Sequence, residues 1–220
     1  MSKIILDLCG GTGAWSKPYK DAGYDVRLVT LPETDLSLQR LMIMGGYYYE
    51  PPENVYGILS APPCTMFSLA RMNAKAPRDL REGMDLVEAC LKIIWDCQYV
   101  LEKETAHKTT LKFWALENPY NGLLKNFIGR PAFVFQPYEF GDRYKKQTAL
   151  WGNFNDPIKK PVDLNQEELA LGYTNSQKLP KFDHMKTKDI APEFYGKLDR
   201  VTRRSITPPG FAKAFFEANK

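Results

Sequence analysis

A chain of 220 residues with 44% hydrophobic, 13% aromatic and 25% charged side chains is sized for one compact domain carrying at most a small appendage. That composition excludes the disordered, collagen-like and coiled-coil classes. The net charge of +4 conceals a split: residues 143–220 carry 15 Lys+Arg against 9 Asp+Glu, and residues 1–142 carry 15 against 17.

A basic surplus of this size suits a phosphate backbone, and it equally suits an ordinary solvated face. Every long apolar stretch is broken by Pro, Gly or a charge before the roughly 20 residues that span a bilayer, so no membrane segment is expected. Asp7 falls where a secretory leader would need its apolar run, so the expected location is cytoplasmic and Cys9, Cys64, Cys90 and Cys97 are read as thiols. Their spacing is not that of zinc ligands, and His107 and His184 lie far apart in sequence, so no metal is expected.

Residues 3–8 form a short branched apolar run that ends at Gly10, Gly11 and Gly13, which predicts a buried strand entering a tight turn. A helix over about 14–22 follows, closed by Gly23, and residues 24–31 read as a second strand, giving a βαβ opening. Residues 36–50, with Met42, Met44 and Tyr47-Tyr48-Tyr49, read either as packing or as an excursion whose aromatics stack on bases. Val55–Ser60 is a strand stopped by Pro62-Pro63, with a helix expected to start near Thr65. The longest helical signal runs over 78–102, because Val87, Cys90, Ile94, Cys97 and Leu101 recur at spacings of three and four; Cys90 and Cys97 are therefore packing residues.

Residues 112–117 give another strand, stopped by Asn118-Pro119, and residues 132–136 and 147–154 read as a closing strand pair. Residues 155–204 are polar, with Lys and Pro throughout, and read as a small irregular subdomain or a loop-rich cover. A last helix is expected over 211–219, after Pro208-Pro209. Alternating strands and helices predict a doubly wound, mostly parallel α/β sheet. The division expected is a catalytic domain over 1–154, a reduced region over 155–204 and a returning helix within 205–220.

Asp7-Leu-Cys-Gly-Gly-Thr-Gly13 lies where α/β sheets bind nucleotide-like ligands, at the carboxyl end of a first strand. A dinucleotide fingerprint would place a third glycine after Gly13, where Ala14, Trp15 and Ser16 stand instead, so an NAD site is disfavoured; a tight turn without ligand stays open. An acid after the second strand would meet a ribose, and Glu33 and Asp35 are the candidates, each of which could also be a solvated loop carboxylate. Cys64, held by two prolines at a strand end ahead of the expected helix, reads as a thiol acidified by that helix's positive end, a nucleophile. The alternative of a small buried hydrophobe suits Cys9 and Cys90 better. Glu117-Asn118-Pro119 brings a carboxyl group to the same rim, and an apolar run that ends in Glu buries an expensive group.

The order Asp7-Leu with its glycine loop, Pro63-Cys64, Glu117-Asn118, then Gly141 to Gly152 and Pro208 to Phe216, resembles the DNA cytosine-5 methyltransferase family over nearly the whole chain. The resemblance implies a Rossmann-like, S-adenosylmethionine-dependent fold with DNA as partner. It assigns Asp7, Cys9, Gly10, Gly11, Gly13 and Trp15 to the cofactor loop, with Glu33 or Asp35 and Pro62 completing the surroundings. It makes Cys64 the nucleophile and Glu117 the group that engages the cytosine ring, with Asn118 and Lys146 in the catalytic set, and it returns the last helix beside the cofactor. The departures are Pro119 where the family commonly has Val, and Lys146 and Thr148 in the two arginine positions of a Gln-x-Arg-x-Arg element.

Only residues 155–204 stand where the family has its large recognition domain, a reduction similar to methyltransferases carried by bacteriophages. Weakly selective, salt-dependent contact with DNA, single strands included, is expected through that segment and Lys145-Lys146. Two other readings stay open: the same chemistry on RNA or a free cytosine nucleotide, and a cofactor-binding scaffold that has lost catalysis and works through a partner.

Overall fold

The computed structural model describes residues 2–30, 49–99, 111–163 and 166–220. Six strands form one sheet in the order β2-β1-β3-β4-β6-β5. They are β1 (Ile4–Leu8), β2 (Asp25–Val29), β3 (Val55–Ser60), β4 (Phe113–Pro119), β5 (Phe133–Phe135) and β6 (Thr148–Asn153). The first four in sequence are parallel, and β6 runs antiparallel between β4 and β5. All five residues of β1 are buried, since a central parallel strand is covered on both faces and has no solvent side to alternate toward.

Helices supply those covers. On one face, α2 (Leu80–Gln98) lays Cys90, Ile93, Ile94 and Cys97 against Leu6, Leu8 and Ile58. Its start is fixed at Asp79, whose carboxylate accepts the Glu82 N–H at 2.9 Å. On the other face, α1 (Lys17–Asp21) and the C-terminal helix Pro209–Asn219 enclose an aromatic core of Trp15, Tyr19, Phe113, Phe135, Phe140, Phe211 and Phe215. Phe135 and Phe211 stack with ring centroids 3.8 Å apart. Gly57 of β3 is required here, because a Cβ at that position would lie 2.2 Å from the Phe113 ring. The architecture is thus an α/β fold on a mixed, mostly parallel sheet.

Two boundaries depart from the sequence reading. No helix starts near Thr65: the chain makes one turn, in which the Phe67 and Ser68 N–H groups bond the Cys64 carbonyl, then a 3₁₀ turn at Leu69–Arg71, and α2 begins only at Leu80. β4 does not stop before Asn118-Pro119 but runs through it, because pairing with β6 extends to Pro119 opposite Thr148. Of residues 36–50, Tyr49 packs against the α2 face; the other aromatics of that stretch lie outside the described residues.

The described residues of 155–208 hold helical turns of five residues at most, among them Gln166–Ala170, Thr187–Ile190 and Arg200–Arg203. This cover has a small cluster of its own, Phe182, Ile190, Ala191 and Ile206, closed by Tyr144. Both ends are pinned. The Asn155 N–H donates to Asn219 Oδ1 at 2.8 Å and Asn219 Nδ2 returns a bond to the Asn155 carbonyl, while the Gly210 N–H donates to the Asp142 carboxylate at 3.0 Å. Among the described residues no helix is long and apolar enough to cross a membrane.

Candidate active site

Register brings the candidate residues to one rim. Leu8 pairs with Ser60 and Ser60 with Leu116, so the residues that follow Leu8, Ser60 and Leu116 emerge side by side toward the carboxyl ends of the parallel strands. These are the glycine loop, the Cys64 turn and Glu117. Because β6 runs the other way, its first residue, Thr148, lies opposite Pro119 and delivers Lys146 to the same rim.

The Cys64 turn is held without a helix. Asn118 Nδ2 donates to the Pro62 carbonyl at 3.1 Å in a buried bond that ties the Glu-Asn strand end to the Pro-Pro turn. The Arg78 guanidinium donates to the Met66 and Ser68 carbonyls at 2.8 and 2.9 Å, and Phe67 is fully buried below. Cys64 itself is partly exposed. Its thiol is raised above the ordinary value, by burial first and by the Glu117 charge second, against Lys146 and Arg204, which pull it down. The expected acidification by a helix end does not occur, since one turn has no helical field to offer. Burial likewise raises the Glu117 carboxyl, with Lys146 opposing.

Lys146 is fixed on three sides: its N–H donates to Gln136 Oε1 at 3.1 Å, its ammonium donates to the Ile206 carbonyl at 3.1 Å, and that ammonium lies 5.4 Å from the Phe182 ring centroid. Thr148 is buried and its hydroxyl donates to the Lys146 carbonyl, so the second arginine position supplies backbone support and no charge. The Lys145 ammonium is bonded to the Ser176 carbonyl at 2.6 Å, which joins this segment to the cover.

Arg204 was not among the residues singled out from the sequence. Its guanidinium grips the Asp183 carboxylate at 2.9 and 2.7 Å, and it acts on Cys64 from the cover. The only sequence signal for it is the Arg203-Arg204 doublet that ends the basic stretch.

On the neighbouring strand Asp7 is fully buried. One carboxylate oxygen accepts the Ser16 hydroxyl at 2.5 Å; Oδ1 has no partner among the described residues. Burial lifts this carboxyl from 3.8 to about 6, with the Ser16 bond opposing. A Cβ at Gly10 would sit 2.1 Å from Oδ1, so only glycine lets the loop fold over the acid, and Gly11 and Gly13 adopt φ of 51° and 66°. Cys9, read from the sequence as a buried hydrophobe, is only partly buried and takes φ 56°. Trp15 is buried with its ring against Phe211 and Phe215, so it braces the loop from the core. Pro62 is buried at the rim, while Glu33 and Asp35 lie outside the described residues.

A close-packed glycine turn with an unsatisfied carboxylate oxygen fits a ligand that brings hydrogen-bond donors, as a ribose or an amino group does. Among the described residues no group of three or more His, Cys, Asp or Glu side chains could hold a metal ion. No protein-family model matches the chain, and no curated protein does.

Proposed function

We propose that the protein is a cytosine-5 methyltransferase acting on DNA. The observation that carries this reading is the meeting of a partly exposed thiol, a carboxyl raised by burial and a lysine at one rim, with Cys64, Glu117 and Lys146 in electrostatic reach of one another beside the glycine loop. Asp7 and the Gly10–Gly13 backbone would hold S-adenosylmethionine, which would supply an electrophilic methyl group there.

Carbon 5 of cytosine is a poor nucleophile. Cys64 solves this by adding to carbon 6: the sulfur–carbon bond forms, the ring's double-bond pair moves toward carbon 5 and the thiol proton passes to water. Glu117, whose carboxyl burial raises, in its protonated form donates a hydrogen bond to ring nitrogen 3 and draws charge toward it. A protonated Glu117 would no longer raise the Cys64 thiol by its charge, so that Lys146 and Arg204 work against burial alone. Once carbon 5 carries the methyl group, water takes its proton, the freed C–H pair re-forms the carbon 5–carbon 6 double bond, the sulfur–carbon 6 bond breaks and the thiolate returns. The base must leave its stack for any of this, since carbon 6 of a stacked cytosine is out of reach.

Among its described residues the cover has no element long enough to fill a groove, which supports a substrate read weakly or already unpaired. The test is trapping. With S-adenosylmethionine and an oligonucleotide containing 5-fluorocytosine, the protein forms a covalent adduct that peptide mapping places on Cys64; Cys64→Ser forms none, and an adduct surviving in that variant overturns the assignment. Glu117→Gln lowers turnover by about 10²- to 10⁴-fold with cofactor affinity intact, measured by methyl transfer and calorimetry. Duplex DNA, single strands, tRNA and dCMP are compared in parallel, and transfer to RNA or dCMP alone would select the other substrate.

A further inference from the structure

We propose that Cys9 and Cys90 form a redox-active pair, closed to a disulfide by a peroxide, and that closure disables the glycine loop. The two residues are 81 apart in sequence, and their sulfurs lie 3.9 Å from each other. Neither takes part in the chemistry assigned to Cys64.

Each side of the contact is fixed by the fold. Cys9 is the first residue past β1 and the one non-glycine residue with positive φ among those described. Its N–H is anchored to the Val29 carbonyl at 2.9 Å. A left-handed conformation costs a residue with a Cβ about 1–2 kcal/mol, and here it accompanies a side chain set against the face of α2. Cys90 sits fully buried on that face, between Ala89 and the Ile93-Ile94 pair.

A cysteine sealed in an apolar core is ordinarily inert. Contact with Cys9 draws the Cys90 thiol below its ordinary value in spite of burial. The buried Ser60 hydroxyl favours the thiolate as well. Cys9 is partly exposed and is the sulfur a peroxide reaches first.

The chemistry closes in two steps. Cys9 sulfur attacks the peroxide oxygen, the O–O bond breaks, and a sulfenic acid and one water result. Cys90 sulfur then attacks Cys9, the S–S bond forms and the sulfenic oxygen leaves as a second water. Two electrons pass from the thiols to the peroxide, and both thiol protons end in water. The sulfurs must approach from 3.9 Å to about 2.05 Å. Because α2 is locked in the core, the movement falls on the loop that carries Gly10, next to Asp7.

Bridge formation is independent of the proposed function; its effect on cofactor binding rests on that reading. The test oxidises the full-length protein with a small excess of hydrogen peroxide, alkylates it, digests it without reductant and maps the peptides. The expected product links the Cys9 and Cys90 peptides, is lighter by two hydrogen atoms than their sum and is reversed by dithiothreitol. Calorimetry then shows S-adenosylmethionine binding weakened at least about tenfold by oxidation and restored by reduction. Cys9→Ser gives no link, and it covers the case in which Cys90→Ala disturbs the core.

Recovery of both cysteines in alkylated form, or a link to Cys64, overturns the pair. A link that leaves cofactor affinity unchanged overturns its effect on the loop. A link in a protein whose reduced form binds no S-adenosylmethionine sustains the pair and defeats the methyltransferase reading instead.

Discussion

The sheet body and the cover over residues 155–208 are stabilised by different means. In the body, Phe211 is fully buried with Phe135 stacked on it and Trp15, Phe140 and Phe215 around it. The cover's cluster holds five buried residues, one of them Tyr144 from the body. Hydrogen bonds do much of the remaining work there: Lys145 N–H to the Pro180 carbonyl, the Arg203 guanidinium to the Phe182 and Met185 carbonyls, Arg204 to Asp183. Apolar burial is the larger force per residue, so the body carries the stability while the cover contributes charge beside Cys64. Damage to the two should therefore register in different measurements.

The largest expected effect is Phe211→Ala, which opens a hole in a core that cannot collapse around stacked rings; denaturant unfolding should show a loss of about 3–5 kcal/mol. Phe182→Ala in the cover should cost about 2 kcal/mol or less, since a small cluster relaxes into the space, and equal costs would erase the difference between body and cover. Under the proposed function that variant should nonetheless slow methyl transfer, because the Phe182 ring backs Lys146.

Next in size is the pH dependence contributed by Asp7. Its carboxyl is raised in the folded state, so the fold holds that proton more tightly than the unfolded chain does. The body accordingly loses stability as pH rises from about 4 to about 6, and the full penalty persists above. A shift from 3.8 to about 6 corresponds to about 3 kcal/mol. Asp7→Asn should gain on the parent protein across that window and level off above it, as followed by unfolding at a series of pH values. Asp142, also lifted to about 6 by burial, stays in both proteins and cancels from the difference. A difference that is flat in pH would show that Asp7 is not protonated on folding.

The smallest effect belongs to the exposed Arg204–Asp183 pair. Asp183→Asn should change stability by less than about 1 kcal/mol. Released from its partner, Arg204 should tighten oligonucleotide binding and steepen the salt dependence by about one charge. A stability loss without a binding change would reverse the division of labour between the regions.

Much of the body was legible because burial on both faces writes itself into composition. Val55–Ser60 has the observed bounds, and the recurrence of Val87, Cys90, Ile94 and Cys97 gave α2's buried face. Gly23, with φ 84°, closes α1 as expected. The insertion of β6 between β4 and β5 was not legible, since strand order depends on pairings between residues distant in sequence. The reach of Arg204 toward Cys64 was hidden for the same reason.

The missing helix after Cys64 has another cause. Its support comes from Asn118 and Arg78, partners 54 and 14 residues away, and a local reading supplied a helix to do that work. Cys64 and Glu117 were recognisable as a pair because each ends an apolar run in polar chemistry. The opposing influences on the thiol could be weighed only once Lys146 and Glu117 were seen side by side.

The pinned ends of the cover bear on how such a chain can change over time. Asn155 is clasped by Asn219, and Gly210 is clasped by Asp142, so the excursion leaves and rejoins the body at anchored points. For a flexible loop between fixed ends, doubling its length costs only about 0.6 kcal/mol in closure entropy. The cover is thus a socket for insertions: material could be added within it or trimmed from it while the strand register that aligns Cys64 with Glu117 stays untouched, letting the surface the cover presents drift independently of the rim beneath it.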